Sequence, residues 1–179
     1  MLIANQKRKE NIAEYILYIY QVEDMIRAFK LDMEQIKEKL IPMYKTTEST
    51  REEIIKWYEN LVLMMQKEDI REKGHFQFLT NLVSDMNQLH VKLMKTSDTE
   101  YQAIFKAVAG LLHELRDKNK TAANDIHLAL DAIYGYLILK IQKKEVTTAT
   151  TDAIRQLSGW MSILSKKYAE SESGELDLI

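Results

Sequence analysis

Residues 126–141 read IHLALDAIYGYLILKI, and their patterning decides the fold class. On a 3.6-residue period Ile126, Leu130, Ile133, Leu137 and Ile141 form one broad stripe. Leu128, Ala132, Tyr136 and Leu139 widen it on one side, Tyr134 and Ile138 on the other. Only Asn124, His127, Asp131 and Gln142 leave a thin polar strip. A helix apolar over most of its circumference is packed between other helices or spans a membrane. Asp131 interrupts this one, and the clean run 132–139 falls far short of the roughly 18–20 residues a bilayer needs. The stretch therefore predicts the central helix of an all-α bundle and no membrane span. A helix of about 21 residues is roughly 30 Å long, which sets the height of the bundle.

The whole chain agrees with that reading. Its 179 residues fit one domain with a real core, and one Pro and five Gly leave few breaks. Apolar residues make up 46% and charged ones 29%, a globular composition. A net charge of −2 argues against a dedicated nucleic-acid binder. The absence of Cys removes disulfides, thiol catalysis and thiolate metal sites together. Lys7, Arg8 and Lys9 are followed by Glu10, Asn11 and Glu14 where the apolar core of a signal peptide would begin, so a cytoplasmic location is expected.

Outward from the central helix, six long helices and one short one are expected, arranged as a single antiparallel bundle domain over residues 1–170 with a flexible acidic tail at 171–179. The first runs over 5–29, with Ile12, Ile16, Ile19, Val22 and Ile26 on one face. Glu23 interrupts that face, and Arg27, one turn on, is its expected partner. A short helix at 33–41 is capped by Asp32 and stopped by Pro42. The next helix covers 51–73, capped by Ser49 or Thr50 and ended by Gly74, with Ile54, Trp57, Leu61, Met64 and Met65 inward. Helix 76–95 carries Leu79, Leu82, Val83, Met86, Leu89 and Leu93, with His90 among them. Ser97-Asp98-Thr99-Glu100 reads as a capping box for the following helix, where Ala103, Ala107 and Gly110 offer a groove for close approach. A threonine-rich linker at 147–151 precedes a last helix over 152–169, with Ile154, Leu157, Met161, Leu164 and Tyr168 inward and Trp160 on the far side.

No phosphate loop, nucleotide fingerprint or nucleophile motif is present, which leaves carboxylates and histidines borne on helices. One candidate constellation is Glu23, Glu68 and His90, each on an otherwise apolar stripe, because inward Glu and His can hold iron or manganese in a bundle core. The Glu-x-x-His spacing that such sites use occurs once, at Glu72-Lys73-Gly74-His75, across a helix end. The plainer reading is a buried Glu23–Arg27 pair, a hydrogen-bonded core histidine and a wet Glu68. The other constellation is His113-x-x-x-Asp117 with His127-x-x-x-Asp131, each pair sharing a helix face near one turn, a donor set suited to a hydrolytic metal. Here the plainer reading is solvated charge. Tyr15, Tyr18 and Tyr20 lack an accompanying basic groove and read as packing.

Arg8-Lys9-Glu10-Asn11-Ile12-Ala13-Glu14-Tyr15, continued by Gln21-Val22-Glu23-Asp24 and Ile26-Arg27, resembles the opening of a Bacteroidetes all-helical family catalogued as the domain of unknown function numbered 4924. Glu114-Leu115-Arg116, Tyr134-Gly135 and Gln142-Lys143-Lys144-Glu145 fit the same family, over nearly the whole chain. The resemblance implies a bacterial cytoplasmic protein and carries over no catalytic residue. Two functions are thus expected. The first is a non-enzymatic interaction or scaffold module with a protein partner or a second copy of itself, using the central helix with Trp160 and Ile163, and with no cofactor, nucleic acid or membrane. The second is a bundle holding a divalent metal, or a metal-dependent hydrolase, through the Glu, His and Asp residues above.

Overall fold

Short polar side chains start most of the helices, because each can take up an amide that the first helical turn leaves unpaired. The computed structural model describes residues 2–176, with side chains from Ala4 onward. Asn11 has an extended backbone (φ −157°, ψ 105°) and accepts from the Glu14 amide, so the stretch expected as one helix is two: α1 (Leu2–Glu10) and α2 (Ile12–Ala28). Asp32 caps the short α3 (Met33–Gln35), as expected; the chain then continues through a π turn (Ile36–Leu40) and a 3-10 turn (Ile41–Met43) over Pro42. Thr47, rather than Ser49 or Thr50, caps α4 (Glu48–Lys67). That helix ends well before Gly74, at a turn in which Asp69 adopts φ +54°. Then come α5 (Gln77–Leu93), α6 (Thr99–Lys118), α7 (Asp125–Ile141) and α8 (Thr148–Ser173).

The fold is all-α. Among the described residues six helices are 17 residues or longer, as the periodicity requires, and none is long and apolar enough to cross a membrane. Asp98, one residue after Ser97, caps α6 through the Tyr101 amide. The threonine stretch is not a linker: Thr147 caps α8 and Thr148 onward form its first turn. At the other end residues 171–173, within the stretch expected as a flexible tail, are helical, and Gly174 in the left-handed region (φ +75°) closes the helix. Residues 177–179 of that tail lie outside the described residues.

One hydrophobic cluster runs through the described helices, with α7 and α8 each packed on α2, α5 and α6 as well as on each other. The central position expected for α7 is therefore shared with α8. Ile126, Leu128, Ala129 and Leu130 at its start are buried, but the residues from Ala132 to Leu139 are half-buried apart from exposed Gly135, and Ile141 is 62% exposed. Apolar periodicity states what a helix is able to bury; among the described residues no other helix covers the second half of α7 on its remaining side. The small-residue groove of α6 is likewise open: Ala103, Ala107 and Gly110 are exposed, and nothing lies within 4 Å of where a Gly110 Cβ would be.

Trp160 overturns its expected place on the far side of α8, for it is fully buried. It lies three residues after Leu157 and four before Leu164, on the stripe Leu157, Trp160, Met161, Leu164, Tyr168, and neighbours surround α8 over a wide arc. Its Nε1–H donates to the Tyr101 hydroxyl at 3.1 Å, which lies 2.8 Å from His90 Nδ1. Phe105 closes this group, 4.5 Å from the His90 ring and 5.2 Å from that of Trp160. Buried Ser165 of α8 accepts the Ala13 amide of the first turn of α2 at 3.2 Å. The buried groups of Trp160, Tyr101, His90 and Ser165 thus each have a partner from another helix, without which their desolvation would cost about 1–3 kcal/mol apiece.

Burial pushes the His90 pKa below its ordinary 6.5. The unfolded chain then binds a proton that the folded chain refuses, so stability is full above pH 6.5 and declines as pH falls through 6.5 toward the lowered folded value. Urea unfolding from pH 7.5 to 5 should show this decline, and His90→Asn should flatten the slope relative to the parent; equal slopes would refute the assignment.

Candidate metal centre

Glu23 lies on the apolar arc of α2 with no exposed surface. An ionised carboxylate is tolerated there only when hydrogen bonds replace its water. Arg27 does not supply them, contrary to the spacing argument. Its guanidinium donates instead to Asp24 Oδ1 (3.0 Å), the Ile70 carbonyl (3.3 Å) and the Gly74 carbonyl. The partners of Glu23 come from the start of α5: Oε1 accepts the Phe76 amide at 2.7 Å, and Oε2 lies 2.6 Å from His75 Nδ1. Phe76 provides no side-chain cap for α5, and Glu68 Oε2 takes the next amide, Gln77, at 2.7 Å. Two glutamates from elsewhere therefore cap α5, where the helix dipole favours negative charge.

The loop between α4 and α5 is shaped to present His75. Arg27 ties down its carbonyls at residues 70 and 74. Gly74 adopts φ +93°, and a Cβ there would meet Ile70 Cγ2 at 3.3 Å, so a larger residue is strained twice over. The His75 ring stacks on Tyr20 with centroids 3.7 Å apart. Tyr134 meets Tyr20 edge-on at 5.5 Å and places its hydroxyl 2.6 Å from Asp24 Oδ2. The ring is thus held on one face by an aromatic and at Nδ1 by a carboxylate. Glu23 takes Nδ1, so Nε2 is the ring nitrogen left for another partner.

Across from it on α7 are His127 and Asp131, one helical turn apart, with Nε2 3.5 Å from Oδ1. One ligand atom from each of His75, His127 and Asp131 lies within 4.8 Å of the other two. Each is oriented from behind. His127 Nδ1 receives the Ala123 amide at 3.1 Å, and Asp131 Oδ2 receives the Asn119 side-chain amide at 2.9 Å. Their side chains are 27–28% exposed, so the cluster is reachable from solvent. Two imidazoles and a carboxylate form a donor set used by iron, manganese and zinc. A histidine backed by a carboxylate is a recurrent support for such ligands.

The structure sorts the sequence candidates. His127 and Asp131 lie in the cluster, and Glu23 lies behind it as the carboxylate on His75. Glu68 caps α5, and His90 is bonded to Tyr101 in the core. His113 and Asp117 are exposed on α6 and outside the cluster. His75 is the residue that sequence reasoning passed over, because Glu72-x-x-His75 is broken by a loop. The signal available was a buried glutamate in need of a donor and a Gly-His pair just before a helix without its own cap.

Fold and geometry define an all-α protein with a two-histidine, one-carboxylate cluster joining α2, the start of α5 and α7. The model of the family described as a domain of unknown function, DUF4924, matches residues 1–175, and the chain belongs to that family. No curated protein and no solved structure matches it.

Glu23→Gln replaces a charged acceptor with an amide that meets the His75 N–H less well. Urea denaturation should register a loss of about 1.5–3 kcal/mol, the usual worth of a hydrogen bond to a charged group. An unchanged midpoint would mean that Glu23 does not organise this end of the bundle.

Proposed function

We propose that this protein binds a divalent transition-metal ion through His75 Nε2, His127 and Asp131. The observation that carries the reading is the wholly buried Glu23 carboxylate 2.6 Å from His75 Nδ1, which holds this ring where one ligand atom each of His75, His127 and Asp131 lies within 4.8 Å of the others. Three protein ligands leave coordination positions for water or substrate, as in catalytic rather than structural sites. We place the protein in the bacterial cytoplasm, following the family resemblance of its sequence.

Protein purified without chelators or affinity-metal columns should contain near-stoichiometric zinc, iron or manganese, or melt higher when one is added. Saturation at about a hundred times Kd corresponds to about 2.7 kcal/mol. His75→Ala and Asp131→Ala should each abolish the effect, while His113→Ala and Asp117→Ala leave it intact. Elemental analysis without metal, together with an unmoved melting temperature, would end this reading.

A second reading has its own observation, the uncovered half of α7. Half-buried Ile133, Leu137 and Ile138 lead to exposed Ile141, a surface that suits self-association or a protein partner. Without Trp160, which is in the core, this surface is smaller than the sequence suggested. Light scattering at high micromolar concentration should show a dimer that Ile141→Lys weakens; a strict monomer would remove self-association.

A further inference from the structure

Gly135 stands in the uncovered half of α7 with no role inside the monomer. Gly74 and Gly174 are required by positive φ, but Gly135 has ordinary helical backbone in the interior of α7, where glycine is disfavoured against alanine. Nothing lies within 4 Å of where its Cβ would be. Among the described residues of α7, packing on the buried core reaches no further than Tyr134. On a 3.6-residue period Gly135 shares its face with Ile138, Leu139 and Gln142, so an open notch is bordered one turn on by two apolar side chains. The chain as a whole exposes 10922 Å², against about 9,000 Å² for a compact monomer of this size. That excess is more than the roughly 800 Å² per partner that a standard interface covers.

We infer that the occupant of this face is α7 of a second copy, crossing antiparallel so that Ile138 of each copy enters the notch at Gly135 of the other. This rests on the self-association reading above. A notch and an apolar knob three residues apart on one helix face are complements of one another. A two-fold axis passing between them pairs them twice, which closes the assembly at two chains. The orientation follows from charge. Lys140, Lys143 and Lys144 crowd the end of α7, and a parallel pair would set the two groups side by side. The antiparallel crossing separates Lys143 from its counterpart by roughly 20 Å along the helix axis, well beyond the Debye length of about 8 Å at physiological salt. It also sets the two helix dipoles against each other, the favourable arrangement. Lys140 is already drawn over the Tyr136 ring, its nitrogen 5.6 Å from the centroid, on the side of the helix away from Gly135. The face at Gly135 is thus left apolar and clear for a close approach.

The test follows the full chain by sedimentation equilibrium from low to high micromolar concentration, where a dimer is expected. Gly135→Leu fills the notch, and the dimer Kd should rise by about tenfold or more. The same variant in dilute solution should melt no lower than the parent, because the monomer has room for the side chain and leucine is the better helix former. Ile138→Ala removes the knob and should weaken the dimer likewise. The double variant Gly135→Leu/Ile138→Ala exchanges knob and notch, and it should regain most of the lost affinity, as two changes on unrelated surfaces would not. A dimer that Gly135→Leu leaves unchanged, or a double variant no tighter than the weaker single one, overturns this pairing and leaves self-association standing. A strict monomer at high micromolar concentration overturns both, whether or not an unrelated protein or an anionic vesicle then binds α7.

Discussion

The buried carboxylate of Glu23 is the constraint on which this structure turns. A charge without exposed surface in the middle of α2 is intolerable unless donors are brought to it, and the chain brings them from some fifty residues away: the Phe76 amide and the His75 ring. The arrangement answers two needs at once. The carboxylate obtains its hydrogen bonds, and α5, which begins at a phenylalanine without a side-chain cap, obtains an acceptor at its positive end. The position of α5 against α2 is therefore set by directional bonds, where hydrophobic contact alone would leave it free to slide. His75 acquires its orientation as a consequence.

The rest of the interior repeats the device with neutral groups. The Trp160–Tyr101–His90 series links α8, α6 and α5, and Ser165 links α8 to the first turn of α2. Apolar burial drives these helices together, yet it is non-directional. A bundle rich in Leu, Ile and Met has many ways to pack at similar energy, and a few satisfied polar links select among them. That α8 takes part in both sets accounts for its place beside α7 at the centre.

The cluster of His75, His127 and Asp131 lies where these constraints meet. Three elements distant in sequence converge, each ligand is backed by a hydrogen bond, and the backing is unequal. Glu23 belongs to the buried framework, whereas Asn119 and Ala123 belong to a surface turn.

What the sequence determined by itself is what depends on near neighbours along the chain. The all-α class, the core stripe of α5, the Asp32 cap and the shared face of His127 and Asp131 all follow from periods of three and four residues, which any helix must obey. The family resemblance was legible as well, in runs spread from residue 8 to residue 145. Where local signals competed, the reading was less secure: Asn11 divides a pattern that looks continuous, and Thr147 begins a helix in a stretch rich in poor helix formers. Tertiary structure alone decided that Glu23 bonds His75 and not Arg27, that Trp160 is interior, that half of α7 is left open, and that His75 joins the α7 pair. Each of these is a choice of partner between segments far apart in sequence. The physical reason is the same in every case. Helical periodicity gives the direction in which a side chain points, but only the packing of the other helices determines what it meets there.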